Sequence, residues 1–533
     1  MTLTKTPEGE SDELIGGGGA GAATPIRQWA RQQDPIPWVL GGAILVWSLV
    51  FVYLGWIRHT RYGTFAFDLG IYDQGTYLLA RLEEPFVTVR GLHLFGHHAN
   101  FILVLFAPFY RLGIGGPIFL LVVQVAAQAS GAVAIYLLAK ERLADRWLAV
   151  VLGVVLLLHP SFQLQVLHFF HPDSLAIGPV LFAYWAARTE RWRWFTVAAV
   201  LAVACKEDVA LVMAVMGGLV FVRGNRRVGV TTVVCSIGYY LLATRILMPE
   251  FLGGLKPFYD SFFGEFGESP GEVARNVIAN PSQAFNVATE SDRLNYYRMM
   301  FAPVAFLPIA ALPTLLVAAP MMLVVALTTW PYAREIQYHY SSLVLAGIML
   351  ATVEGIASVA QNRGARRFLV GLVAATSLAA TVAWGASPIS TKYRSGIWPL
   401  EPDARLATKE AAASLVPDDV AVSAMYYFVP QLDHREHIYV FPVPWMPTNW
   451  AVSGENLHDP AKVDWLVLDR QLLSPEDQEL VSRLLGKEFT VRFDQDAIVV
   501  AERTRAPVRP RSGGEEAAGH NTGPVEPEPR DDP

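Results

Sequence analysis

The chain has 533 residues, 53% of them hydrophobic and 17% charged, with a formal net charge of −6 and a mean hydropathy of +0.32. This composition excludes an ordinary soluble globule in favour of a polytopic membrane protein, and the acidic balance argues against a nucleic-acid partner. Only Cys205 and Cys235 occur, both in apolar segments, which excludes a disulfide framework and a cysteine metal cluster.

Residues 1–37 hold GGGGAGAA and scattered charges without the compact regions of a signal peptide, and read as a disordered cytoplasmic tail. Trp38–Ile57 follows without a charge and, at 1.5 Å per residue, is long enough to cross a bilayer. Just beyond it, FDLGIYDQ sets Asp68 and Asp73 at the membrane edge. A carboxylate there can take a proton, hold a metal or orient a donor phosphate. The plainer reading is that Asp68 caps the amphipathic helix LGIYDQGTYLLARL. Five helical residues rotate the chain by roughly 140°, so Asp68 and Asp73 do not share a helical face, and Asp68 is the preferred catalytic position of the two.

His97 and His98, in GLHLFGHHANF, are candidates for phosphate or metal, or simple interfacial residues. Phe101–Leu112 is apolar but too short to cross, and is expected to be re-entrant or to lie along the surface. Apolar runs then follow at 116–139, 147–159, 173–187, 194–205, 209–222, 228–248, 300–330, 339–357 and 368–386. Dividing the overlong, proline-rich 300–330 run near Pro313 gives about eleven spans. Gln124 and Gln128 fall mid-span on one face, where bonds to neighbouring helices are expected.

His168, His171 and Asp173 form HxxHxD, a spacing that can present two imidazoles together. Pro172 interrupts it and makes Asp173 a plausible helix cap. Lys206, Glu207 and Asp208 occupy a tight turn, as a local ion pair or as groups that neutralise and orient a lipid phosphate. His339 stands between Tyr338 and Tyr340, themselves expected in an interfacial aromatic belt.

The short connections carrying Lys140, Arg142 and Arg146, then Arg188, Arg191 and Arg193, then Arg223, Arg226 and Arg227, then Arg363, Arg366 and Arg367 alternate with these acid- and histidine-bearing loops. The positive-inside rule makes the basic loops cytoplasmic, with the N-terminus inside and the C-terminus extracytoplasmic. After the membrane domain, 38–387, short apolar strands alternate with helix-like segments, giving an extracytoplasmic α/β domain over 388–505 and a disordered tail from 506 to 533.

Taken together, FDLGIYDQ, HLFGHHANFILVLFAPFY, HPDSLAIGPVLFAYWAAR, CKEDVALVMAVMGG, QYHYSSLV and VSAMYYFVPQLDHREHIYVFP resemble an uncharacterised prokaryotic membrane-protein family known by a domain of unknown function and grouped with the GT-C glycosyltransferases. The resemblance covers roughly residues 38–445. It implies a mainly α, polytopic GT-C-like bundle in the cell membrane that takes a polyprenyl-phosphate sugar donor. It also implies an acidic residue in the first outer loop near the reaction centre, a role that Asp68 matches. The chain lacks a WWDYG-type acceptor motif, and Asp73 is not part of an adjacent acidic pair. On this reading Asp68, with Asp73 as the second acid, is catalytic in an inverting transfer, and His97, His98, His171, Lys206, Glu207, Asp208 and His339 serve the substrate. A divalent metal is compatible with the set. The alternatives are a membrane transporter, disfavoured by the want of a midplane charge and of self-similar halves, and a non-catalytic cell-envelope assembly protein.

Overall fold

The structure, a computed structural model, describes residues 35–167, 170–254, 262–401, 403–447 and 458–504. Residues 1–34, the tail 506–533 and His168 lie outside the described residues. Among those described, six helices are long and apolar enough to cross a bilayer: Ile36–Thr60, Pro117–Leu143, Arg226–Leu252, Leu307–Leu327, His339–Val359 and Arg363–Trp384. Arg146–Leu158 and Pro160–Leu167, bent by 44°, make a seventh, broken span. The bend falls at His159, whose extended backbone (φ −63°, ψ 126°) is what a following proline demands.

The difference from about eleven spans has two sources. The runs expected at 173–187, 194–205 and 209–222 are the shorter helices Ile177–Arg188, Trp192–Val203 and Val209–Val222. The 300–330 run contributes one span rather than two. Its break lies at Ala305 and Phe306, both left-handed (φ 52° and 56°), and Pro313 stays within the helical segment that follows. Arg293, before the break, donates to the carbonyls of Ala326 and Thr328 after it, so the two limbs run antiparallel.

His339–Val359 is the central helix, with 83% of its most apolar window buried. It packs against Leu307–Leu327 through glycine. A Cβ on Gly347 would sit 2.6 Å from Ala318, and one on Gly355 would sit 2.5 Å from the Leu307 carbonyl, so only glycine lets the two backbones approach. By contrast Trp38, Val46, Leu49 and Tyr53 on the first span face outward, as lipid contact requires.

The basic connections gather at one end of the bundle. There Glu354 accepts from Arg142 Nε (2.8 Å), Arg188 Nε (2.9 Å) and the Tyr184 hydroxyl (3.1 Å), and Arg223 donates to that same hydroxyl (2.8 Å). Glu354 is 7% exposed, while its partners Arg142 and Arg188 keep 34% and 25% of their side chains exposed, so removing it unties a partly hydrated network. Glu354→Ala is expected to cost about 1–3 kcal/mol, measured as a fall in the unfolding midpoint in detergent; an unchanged midpoint would refute this role.

At the other end lies a five-stranded mixed sheet, in spatial order Ile438–Val440, Val422–Ala424, Trp465–Asp469, Ile498–Arg503 and Phe489–Gln495. The first three strands are parallel, and Ile498–Arg503 is antiparallel to both its neighbours. Helices Leu406–Ser414 and Pro475–Lys487 accompany it, the second closed by a capping box between Ser474 and Asp477. The loop after the first span binds the sheet's edge: Thr88 Oγ1 donates to the Ile438 carbonyl (2.6 Å) and accepts its N–H (2.9 Å). Gln74 Nε2 donates to the Glu436 carbonyl (3.0 Å). These bonds satisfy part of an otherwise open strand edge and fix the α/β unit over the segment that carries Asp68 and Asp73.

Candidate acid and histidine site

Beyond Thr60 the chain turns at Tyr62 (φ 57°), passes through Phe67 (ψ 150°) and turns sharply again at Asp68, with φ 64° and ψ −85°. A residue with a β-carbon occupies this region only at a cost of about 1–3 kcal/mol, which the surroundings must hold in place. The turn separates Asp68 from the helix Ile71–Arg81, whose start has no side-chain cap bond. Asp68 is therefore not a helix cap. Its carboxylate instead meets the imidazole of His171, Oδ1 to Nε2 at 2.9 Å.

His171 has an extended backbone (φ −138°, ψ 125°) because Pro172 follows it. The backbone N–H of His171 donates to Gln124 Oε1 (2.7 Å), and Gln124 Nε2 reaches the Gln165 carbonyl (3.3 Å), so this glutamine does bridge elements as expected. On its second nitrogen His171 faces Asp173 Oδ1 at 3.2 Å. Asp173 makes no cap bond; it is the hub of the site, with Lys206 Nζ at 3.4 Å and His339 Nε2 at 3.8 Å. The rings of His171 and His339 stack with centroids 3.4 Å apart. Lys206 also lies 3.5 Å from Asp208 and sits over the ring of Tyr340. The result is a chain of alternating charge, Asp68–His171–Asp173–Lys206–Asp208. Its three inner side chains are 5–9% exposed and its two ends are open, Asp68 at 36% and Asp208 at 33%.

Electrostatics follow from this alternation. Burial alone would lower the His171 pKa, but the Asp68 and Asp173 carboxylates reverse that and raise it to about 9. Burial would raise Asp68, and the His171 charge and hydrogen bond bring it below the usual carboxylate range. Asp173 is held well below that range, against burial, by His339, Lys206 and His171. Burial pushes Asp208 up to about 6. Stability linked to His171 is complete below its unfolded pKa of 6.5 and is lost as pH rises through about 9. Stability linked to Asp68 and Asp173 is present above their unfolded value of 3.8 and is lost as pH falls below it. The unfolding midpoint in detergent is therefore expected to fall between pH 6.5 and 9, and His171→Gln to flatten that alkaline limb. An alkaline limb unaltered in this variant would show that His171 is not its source.

The other expected site residues divide around this chain. His98 Nδ1 pairs with Glu207 Oε1 at 2.8 Å, and Glu207 Oε2 accepts the Ala99 N–H (3.0 Å). Burial raises Glu207 above the usual carboxylate range and lowers His98 well below the usual imidazole value. His97 packs edge-on against His98 with ring centroids 4.4 Å apart. Glu207 and Asp208, neighbours in sequence, thus face different partners. Asp73 stands apart from Asp68: it accepts from the Tyr110 hydroxyl and lies 2.9 Å from His434 Nε2. The short apolar segment Phe101–Arg111 supplies that tyrosine. Sequence reasoning read Asp173 only as a cap and passed over Asp433 and His434. The sole signal for Asp173 was its place two residues after His171, across a proline that prevents helical presentation. Among the described residues, two groups offer three ligand atoms within 4.8 Å of one another: His171, Asp173 and His339, and separately Asp73, Asp433 and His434. Both mix nitrogen and oxygen donors of the kind zinc accepts.

An apolar helical bundle with an acid and histidine cluster at one end, beneath a small mixed sheet, defines a polytopic membrane protein. The chain belongs to the family described as "Predicted membrane protein (DUF2079)", which matches residues 58–500. No curated protein matches it. Among solved structures it is similar to ArnT from Cupriavidus metallidurans bound to undecaprenyl phosphate. The TM-score is 0.50 at 13% identity, covering 88% of this chain and 98% of that one. It is also similar to the archaeal oligosaccharyltransferase AglB from Archaeoglobus fulgidus in complex with an inhibitory peptide and a dolichol-phosphate. There the TM-score is 0.36 at 11% identity, covering 89% of this chain and 75% of that one. The first of these likenesses is one of fold.

Proposed function

We propose that this protein is an integral-membrane glycosyltransferase that moves a sugar from a polyprenyl-phosphate donor to an extracytoplasmic acceptor with inversion. The observation that carries the reading is Asp68, a carboxylate turned toward solvent by a strained backbone and backed by a buried histidine and acid. In the reaction Asp68 takes the proton of the acceptor hydroxyl, the acceptor oxygen bonds to the anomeric carbon, and the bond from that carbon to the phosphate oxygen breaks. The lipid phosphate departs with the bonding electron pair. His171 holds Asp68 oriented and ionised for this step. Asp173, the other carboxylate on His171, is 4% exposed and engaged, which disfavours a second nucleophile and a two-step retaining course. Lys206 is 7% exposed and already lies between two carboxylates, so it acts on the departing phosphate through its field rather than by contact.

An apolar groove of about 580 Å³, lined by Tyr297, Leu312, Leu316, Ala319, Leu323 and Ala326, runs along the span Leu307–Leu327. It suits a polyprenyl chain, and the span leads on toward His339. The co-bound undecaprenyl phosphate of ArnT supports the same donor class. On this reading the basic end is cytoplasmic, and the α/β unit, residues 388–505, covers the site from outside.

The test is sugar turnover by the purified full chain in proteoliposomes supplied with radiolabelled polyprenyl-phosphate sugars. Loss of label from the lipid above the protein-free control is expected. A folded protein that neither binds nor turns over any of these lipids would overturn the proposal.

A further inference from the structure

We propose that Asp73, Asp433 and His434 bind a divalent cation of the zinc class and so clamp the α/β unit onto the helix that follows the first span. The three residues come from segments some 360 positions apart, and each presents one ligand atom within 4.8 Å of the other two. The site is distinct from the chain that begins at Asp68 and does not depend on the reaction proposed for it.

Two carboxylates that face one another out of water must share a proton or hold a cation between them, since a buried charge is tolerated only when paired. Asp73 is fully buried and Asp433 is 2% exposed. The phenol of Tyr110 donates to Asp73 Oδ1, and Asp73 Oδ2 faces His434. Asp433 Oδ2 makes no hydrogen bond despite its burial. The neighbouring cation, Arg435, directs its guanidinium elsewhere, to the carbonyls of Leu432, Pro417 and Val420.

His434 completes the set from the surface side. Its ring stacks on Tyr77 (centroids 4.9 Å, 14° between planes), which fixes its orientation, while 43% of the side chain stays exposed. Two carboxylates and one imidazole with an open approach match a zinc site of three protein ligands plus water. Because Asp73 belongs to one unit and Asp433 and His434 to the other, a bound ion would tie them together, and its binding energy would add to the stability of the folded chain.

The experiment uses the purified full chain in detergent, stripped with a chelator and then given zinc alone. Bound metal per chain and the unfolding midpoint are both read. Wild type is expected to hold one zinc that Asp433→Asn and His434→Gln lose, together with the zinc-dependent rise in midpoint. His434→Gln alters a partly exposed residue, and its metal-free midpoint checks that it folds. His339→Gln, which removes a ligand from the other cluster, is expected to keep this zinc. Unchanged zinc content in both Asp433→Asn and His434→Gln, or none in wild type, would overturn the proposal. So would a loss confined to His339→Gln, which would place the ion at the other cluster.

Discussion

Asp68→Asn is expected to lower sugar transfer by about 10²–10⁴-fold, the usual contribution of a positioned general base. The amide keeps the size of the side chain and an oxygen for His171 Nε2, so the geometry persists while the capacity to accept a proton is lost. Stability should change little, because Asp68 is the open end of its chain, 36% exposed at the side chain. Asp208 supplies the internal comparison. It is the other open end, and Asp208→Asn is expected to have a far smaller effect on turnover because Asp208 contacts Lys206 rather than the His171 relay. A larger loss in Asp208→Asn than in Asp68→Asn would move the base to the opposite end. Asp68→Gly separates chemistry from strain: glycine accepts φ 64° freely, so this variant should be inactive, with the relieved strain offsetting part of the stability lost with the His171 ion pair.

Asp173→Ala is expected to be the most destabilising single change in the site, by about 3–5 kcal/mol. Asp173 faces His171, Lys206 and His339 at 3.2, 3.4 and 3.8 Å, and its removal leaves a buried imidazolium and a buried ammonium each with a single partner. The signature of this mechanism is recovery in a double variant. Asp173→Ala with Lys206→Met removes the stranded cation and should regain part of the loss, whereas independent effects would add. Unfolding midpoints in one detergent measure both. A single variant as stable as wild type would mean that the cluster is not held by charge.

The sequence located much of the fold because the signals were local. Long apolar runs announce spans through transfer energetics that depend on composition alone, and alternating short apolar segments announced the strands Val422–Ala424, Ile438–Val440 and Trp465–Asp469. The placing of the break at Ala305 and Phe306 was less legible. Prolines mark permitted kinks, but two left-handed residues without glycine leave no compositional trace. The separation of Asp68 from Asp73 was expected from helical rotation. The structure separates them for another reason, a backbone turn at Asp68 that precedes the helix altogether.

What the sequence determined by itself is the membrane class, the position of the apolar segments, and the inventory of acids and histidines between them. Each of these rests on the free energy of moving one short segment between water and hydrocarbon. Which acid meets which base was decided only in three dimensions. Asp173 became the hub of one cluster and Asp433 joined Asp73 in another because long-range packing set the carboxylates and imidazoles within a few ångströms of each other. Pairing energies depend on separation and burial, and neither is written in the spacing of residues along the chain.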